Sequence, residues 1–301
     1  MSSRMRVVWI AASFAWGLWG VESLPLLAQV AAPQSERESR AGSEPPTAAE
    51  RLVEELEQPS QVGDFHGFVQ HRFPLAGVGC TLVVPQREAA GRPWIWRARF
   101  WGHQPQLDVA LLKQGWHVAY CDVANLYGND AALARWDRFY ELSQRLGLHP
   151  RPVLEGMSRG GLIVMRWATA NPQHVGGVYL DNAVLDMRSW PGGSGTGKGS
   201  AADWQRCLAA YGLTAEQAAA FADGPLDRLA DLAAAQVPLF ALINEADEVV
   251  PPAENADPLV ERYKGLGGPI EVLRRPGLGH HPHSLADPAP LVRFATRAIE
   301  R

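Results

Sequence analysis

Residues 155–161 read Glu155-Gly156-Met157-Ser158-Arg159-Gly160-Gly161. They follow a short extended run, Pro152-Val153-Leu154, and open an apolar helical run, Leu162-Ile163-Val164-Met165-Arg166-Trp167-Ala168. A strand, a Gly-x-Ser-x-Gly turn and a helix make a nucleophile elbow. So tight a turn strains the serine backbone. Side chains two residues before and after it would collide with neighbouring backbone, so glycine is expected to be required at Gly156 and Gly160. The Ser158 hydroxyl then stands above a sheet at a helix N-terminus, where N–H groups favour developing negative charge. The plainer reading of Ser158 is a capping serine, and the flanking chain bears on the choice.

Strand and helix signals alternate around this turn. Phe68 to Phe73 and Cys80 to Val84 read as an antiparallel hairpin, preceded by a short helix from Glu50 to Gln58. Strands follow at Pro93–Arg97, Trp116–Val123 and Pro152–Leu154, with helices at Gln106–Gln114, Ala131–Leu146 and Gly161–Ala170 between and after them. Val175–Leu180, Pro238–Ile243 and Ile270–Arg275 are further strands; Glu254–Gly265 and Ala289–Ile299 are helices. This rhythm predicts a mostly parallel central sheet flanked by helices. Residues 185–236 interrupt it with helical stretches near Ala201–Tyr211, Thr214–Ala222 and Pro225–Ala235, and read as a helical cap inserted between two strands. Thr214 with Gln217 has the form of a capping box.

The inserted segment also holds Gly192-Gly193-Ser194-Gly195-Thr196-Gly197-Lys198, the start of a phosphate-binding loop. Gly199 stands where the magnesium-binding Ser or Thr belongs, and no strand precedes it directly, so it reads as a loop near the site rather than a nucleotide cradle.

Arg4 and Arg6 precede an uncharged apolar run of 15 residues, Val7 to Val21, and small residues follow at Ala28, Ala31 and Ala32. This is the pattern of a secretory signal peptide, read as residues 1–32. It is short for a membrane span of about 20 residues, so no stable span is expected after cleavage, and the location is expected to be secreted or periplasmic. Residues 33–49 are polar and read as a linker, leaving 50–301 as the folded domain. An apolar content of 47% supports a full core, and a net charge of -4 gives no sign of nucleic acid as a partner. Cys80, Cys121 and Cys207 imply no disulfide framework; Cys80 and Cys121 read as buried thiols.

The elbow set midway through this alternation resembles the α/β-hydrolase superfamily, over about Phe68 to Ile299. The resemblance implies the α/β-hydrolase fold with a cap insertion, and a triad in the chain order Ser, acid, His. A serine hydroxyl needs a histidine to take its proton and a carboxylate to hold that histidine. Ser158 matches the nucleophile. Asp247, after the strand ending at Ile243 and before Val250-Pro251, matches the usual acid; Glu245 and Glu248 are neighbouring competitors, and Asp181 is the alternative acid position. His280, after Gly279, matches the base, with His281 and His283 as alternatives or substrate ligands. The histidine cluster lacks the carboxylate or cysteine partners of a zinc site, and neither a metal nor an organic cofactor is implied.

The oxyanion hole of such enzymes needs two backbone N–H groups. Arg159, after the nucleophile, should supply one; Arg97 or Ala98 should supply the other, although the His-Gly of many relatives is absent there. The Ser158-Arg159 pair is similar to the elbow of glucuronoyl esterases, where that arginine helps to stabilise the oxyanion; the likeness stops at the elbow. Arg97, Arg99, Trp96, Trp101, Trp190 and His281 are the expected substrate contacts, since arginine forks pair with carboxylates and tryptophans stack on flat ligands. Ion pairs and core packing are the plainer roles for the same residues. The expectation is an exported serine esterase acting on small-molecule or carbohydrate-linked esters. A serine peptidase resembling the prolyl oligopeptidase catalytic domain, and a non-catalytic binding protein of the same fold, are the alternatives.

Overall fold

The computed structural model describes residues 45–301. The stretch read as a signal peptide, and the linker up to residue 44, lie outside the described residues. Helix α1, Ala48–Glu55, begins two residues inside the stretch read as linker, where Thr47 and Glu50 close a capping box.

A single nine-stranded sheet follows. Its strands are β1 Gln61–Phe65, β2 Phe68–Leu75, β3 Val78–Val84, β4 Trp94–Arg97, β5 His117–Cys121, β6 Val153–Met157, β7 Gly177–Asp181, β8 Leu239–Asn244 and β9 Ile270–Arg275, in the order β1-β2-β3-β5-β4-β6-β7-β8-β9. The β1–β2, β2–β3 and β3–β5 pairs are antiparallel; every pair from β5 across β4 to β9 is parallel. Cys80 and Cys121 face each other in the β3–β5 register as free, buried thiols.

The helices joining the parallel strands are α2 Gln106–Lys113, α3 Asp130–Arg145 and α4 Gly160–Ala170. Between β7 and β8 lie three more, α5 Ala201–Tyr211, α6 Ala215–Ala219 and α7 Leu229–Ala234; α8 Ala256–Gly265 and α9 Ala289–Ile299 complete the set among the described residues. Thr214 and Gln217 form the capping box of α6. Among the described residues no helix is long and apolar enough to cross a membrane.

Residues along a strand alternate between sheet faces, and the core divides accordingly. Trp94, Trp96, Ala119, Leu154 and Val178 pack on one face with Trp136 and Phe139 of α3 and Trp167 of α4. Ile95, Val118, Val153 and Tyr179 pack on the other with Leu107 and Leu111 of α2 and Phe294 of α9. Burial on both faces explains why these strands carry consecutive apolar residues, such as Trp94-Ile95-Trp96. A third cluster joins the inserted segment to the sheet domain: Met187, Trp190, Cys207 and Leu208 pack on Tyr127 and Leu162.

The glycine loop folds around a carboxylate. Glu254 accepts hydrogen bonds from the Thr196 hydroxyl at 2.7 Å, from the Thr196 N–H, and from the Ser189 hydroxyl at 2.5 Å. A negative charge at the centre of this loop repels phosphate, in keeping with the missing Ser/Thr.

Candidate active site

Ser158 follows the last residue of β6 and precedes α4 with φ +48°, in the left-handed region that a residue bearing a Cβ rarely adopts. Its backbone is tied on both sides. Its N–H donates to the Asp181 carbonyl at 2.9 Å, and its carbonyl accepts from Val184 at 2.9 Å and Gly161 at 3.0 Å. The glycines around it differ in how tightly they are enclosed. A Cβ on Gly156 would lie 3.1 Å from Gly161 Cα, while one on Gly160 would make ordinary contacts of 3.4 Å with Ala98 and Arg99. Gly161 is the tighter site: its Cβ would lie 2.6 Å from the Val184 carbonyl oxygen. The steric demand expected at Gly160 therefore falls one residue later, where the first turn of α4 meets the chain leaving β7.

The C-terminal ends of β6 to β9 bring the expected triad together. Ser158 Oγ lies 3.0 Å from His280 Nε2, and His280 Nδ1 lies 2.7 Å from Asp247 Oδ2. The other Asp247 oxygen accepts the N–H groups of Val249 at 2.9 Å and Val250 at 2.8 Å, which fixes the carboxylate. The loop carrying His280 is held from below. Asn244 donates to the Gly279 carbonyl at 2.5 Å, Arg275 donates to the carbonyls of Pro282 at 2.6 Å and Ser284 at 2.7 Å, and Asn182 donates to the His280 carbonyl at 3.3 Å. Asp181, the alternative acid position, meets a different histidine: its Oδ1 lies 3.0 Å from His283 Nδ1.

Arg97 is corrected. It pairs with Tyr120 in β5 and Glu155 in β6, so its backbone belongs to the sheet, and its side chain is 1% exposed. That side chain forms an ion pair with buried Asp108 and lies 3.2 Å from Glu155. The Ala98 N–H donates to the Glu155 carbonyl at 3.1 Å and is equally engaged. Trp96 is corrected too: it is fully buried and stacks on Trp136 at 3.9 Å between ring centres. Trp101 packs on Phe65 and Tyr120 and is not among the residues that line the cavity beside Ser158.

That cavity measures about 240 Å³ and includes Ser158, Arg159, Trp190 and His281 in its walls. The Arg159 guanidinium lies 4.8 Å from the Trp190 ring centre and 5.9 Å from that of Phe100, and 3.3 Å from Asp203 of α5. Arg99 sits outside the cavity, in a narrow cleft with Arg159, Tyr127 and Gly160. Burial, then the neighbouring Arg159 charge, presses the Arg99 guanidinium below its ordinary value. His281 is exposed and lines the cavity; desolvation, then His283 and His280, pushes it down. The wall also includes Phe100, His103, Met157, Val249 and His283, of which sequence reasoning had singled out only His283. His103 is pressed below its ordinary value by burial, then by His283 and Arg97. Phe100 and His103 stand in the loop that follows β4, and that place in the chain was the signal available for them.

No family model matches the chain, and no curated protein sequence does. Solved structures do. A puromycin-hydrolyzing peptidase from Mycobacterium tuberculosis matches with a TM-score of 0.58 at 15% identity, over 74% of this chain and 36% of that one. Est1E from Butyrivibrio proteoclasticus matches with a TM-score of 0.55 at 15% identity, over 81% of this chain and 100% of that one. An S-formylglutathione hydrolase from Agrobacterium tumefaciens matches with a TM-score of 0.56 at 13% identity, over 80% and 98%. The chain thus spans little more than a third of the peptidase and nearly all of the other two. Sheet order, elbow and these likenesses agree: the chain has the α/β-hydrolase fold.

Proposed function

We propose that the protein is a serine hydrolase of carboxylic esters, with Ser158 as nucleophile, His280 as base and Asp247 as the acid that orients it. The observation that carries this reading is the continuous contact from Ser158 Oγ through His280 to Asp247, at 3.0 Å and 2.7 Å. His280 takes the hydroxyl proton as Ser158 attacks the ester carbonyl. The Asp247 carboxylate keeps the other ring proton on Nδ1. His280 then protonates the leaving alcohol, and water releases the acyl group by the same route.

The developing oxyanion sits against the Arg159 N–H at the start of α4. With Arg97 and Ala98 engaged in the sheet, the second donor in this reading is the Arg99 N–H. No acceptor is recorded for it among the described residues, and it lies 3.9 Å from where a Gly160 Cβ would stand. One such donor is worth about 10²–10³ in rate.

A cavity of about 240 Å³ favours a compact acyl group or alcohol. Arg159 and Trp190 in its wall support a carbohydrate-linked or anionic ester; Trp96, Trp101 and Arg97 no longer contribute to that reading. Export to a secreted or periplasmic location belongs to the same proposal and rests on residues 1–32 alone. The test compares an aryl acetate with a peptide anilide, with fluorophosphonate labelling in parallel. The expected result is ester cleavage and labelling, both abolished in Ser158→Ala. Faster cleavage of the anilide would favour a peptidase, and absence of labelling a binding protein.

A further inference from the structure

Two aspartate–histidine couples stand side by side at the end of this sheet, and the chemistry above uses only one. Asp247 follows β8 and holds His280. Asp181 ends the neighbouring β7 and holds His283. The second couple is the more buried: Asp181 is 0% and His283 4% exposed. Asp181 is also well supplied with donors. Its Oδ1 faces His283 Nδ1 at 3.0 Å, while its Oδ2 accepts the Tyr179 hydroxyl at 2.8 Å and the Ser284 N–H at 2.5 Å. A carboxylate so placed makes Nδ1 the protonated ring nitrogen. Nε2 then carries a lone pair, and no protein partner is recorded for it among the described residues. His283 lines the cavity that contains Ser158. Its ring centre lies 4.8 Å from that of His280, edge to face at 86°, and 6.2 Å from that of His103.

We infer that His283 is a specificity-determining residue: its Nε2 accepts a hydrogen bond from a free hydroxyl on the alcohol part of the substrate. The inference rests on the triad assigned above. In that chemistry the leaving oxygen must approach His280 Nε2 to receive its proton, so the alcohol passes the imidazole packed against His280. An oriented acceptor there suits a hydroxyl on the carbon next to the one that bears the ester oxygen, as in a partially acylated polyol or sugar. It disfavours a simple alkyl group, which would leave a desolvated acceptor unpaired. Loop anchoring alone would require the Asp181 contact but not a place for the ring in the cavity wall.

The probes are 2-hydroxyethyl acetate and propyl acetate, which differ by a hydroxyl in place of a methyl, with each rate divided by that of hydroxide-catalysed hydrolysis. The wild-type protein is expected to favour the hydroxylated ester by about 10- to 100-fold in kcat/KM. His283→Phe is expected to bring that ratio close to one. His283→Gln, whose amide Asp181 does not hold in the same place, moves it in the same direction and keeps the measurement available where the phenylalanine fails to fold. A purely structural role would lower both esters together and leave the ratio unchanged. A wild-type ratio near one, or a ratio untouched by both substitutions, overturns the inference while Ser158-dependent activity leaves the triad standing. Ester cleavage that survives Ser158→Ala overturns the triad itself.

Discussion

The guanidinium carbon of Arg159 lies 4.8 Å from the centre of the Trp190 ring, and its Nη1 lies 3.3 Å from Asp203. The residue that follows Ser158 is thus held at its side chain by two parts of the segment inserted between β7 and β8. Asp203 is itself anchored by the Tyr127 hydroxyl at 2.7 Å and the Ser200 hydroxyl at 3.0 Å. Arg159 thereby presents a backbone N–H on one side of the elbow and a charged, ring-stacked side chain on the cavity side.

Arg159→Leu keeps the N–H and removes the charge. A stacked guanidinium contributes about 0.5–2 kcal/mol and a partly exposed ion pair about 0.2–1 kcal/mol. The variant is therefore expected to melt a few degrees lower. On paired esters that differ only in a carboxylate, its KM for the anionic member should rise about tenfold relative to the neutral one. Steady-state kinetics on the pair checks this, and an unchanged ratio removes Arg159 from substrate recognition.

That Ser158, Asp247 and His280 meet was legible because each position depends on local signals: a glycine-flanked turn, a turn after a late strand, a Gly-His step after the last strand. Strand and helix order was legible for the same reason. Arg97 was not. In sequence it stands at a strand end beside Trp96, where exposure is the natural reading; in the fold β4 is central, and Asp108 and Glu155 come from another helix and another strand to meet it. Such long-range pairing leaves no mark on the local pattern. Strand β1 escaped notice because it lies at the sheet edge with only Phe65 buried, so its alternation is polar. The separate duties of Asp181 and Asp247 are likewise tertiary, fixed by which histidine each strand end meets.

The buried charges beneath the elbow give a pH prediction. Burial pushes Glu155 up to about 8, against the opposing pull of Arg97, from an ordinary value of 4.5. Between those values the folded chain holds a proton that the unfolded chain has released. Stability from this group is therefore present at low pH, declines as pH rises from 4.5 towards 8, and is level above that. Glu155→Gln imitates the protonated side chain. Its stability relative to wild type should increase between pH 5 and pH 8.5, measured by urea unfolding at the two values. A constant difference would show that Glu155 is charged throughout.

Which aspartate serves the base is testable by substitution. In Asp247→Asn the amide no longer holds the proton on His280 Nδ1, and a loss of about 10⁴ in kcat is expected by comparison with serine protease triads. Asp181→Asn disturbs His283 and the Ser284 N–H instead and should cost far less in kcat. If single-turnover rates reverse that order, Asp181 is the triad acid and the Asp247 contact is structural.

Gly161 carries the steric prediction. A Cβ there would lie 2.6 Å from the Val184 carbonyl oxygen and 2.7 Å from Ala183 Cβ, and neither the backbone nor a methyl attached to it can rotate away. The neighbouring Gly160 has 3.4 Å to its nearest atoms. Gly161→Ala must therefore separate α4 from the chain after β7, at an overpacking cost of about 1–3 kcal/mol. The Ser158 carbonyl bonds both the Gly161 and Val184 N–H groups, so the same displacement moves Ser158 relative to His280. Gly161→Ala is expected to lower both melting temperature and kcat, whereas Gly160→Ala should stay within about 1 kcal/mol of wild-type stability, since alanine restricts the unfolded chain where the native backbone accepts it. Melting curves of the two variants decide the matter: if Gly161→Ala melts with the wild type, the close approach of α4 to Val184 is not what holds the elbow.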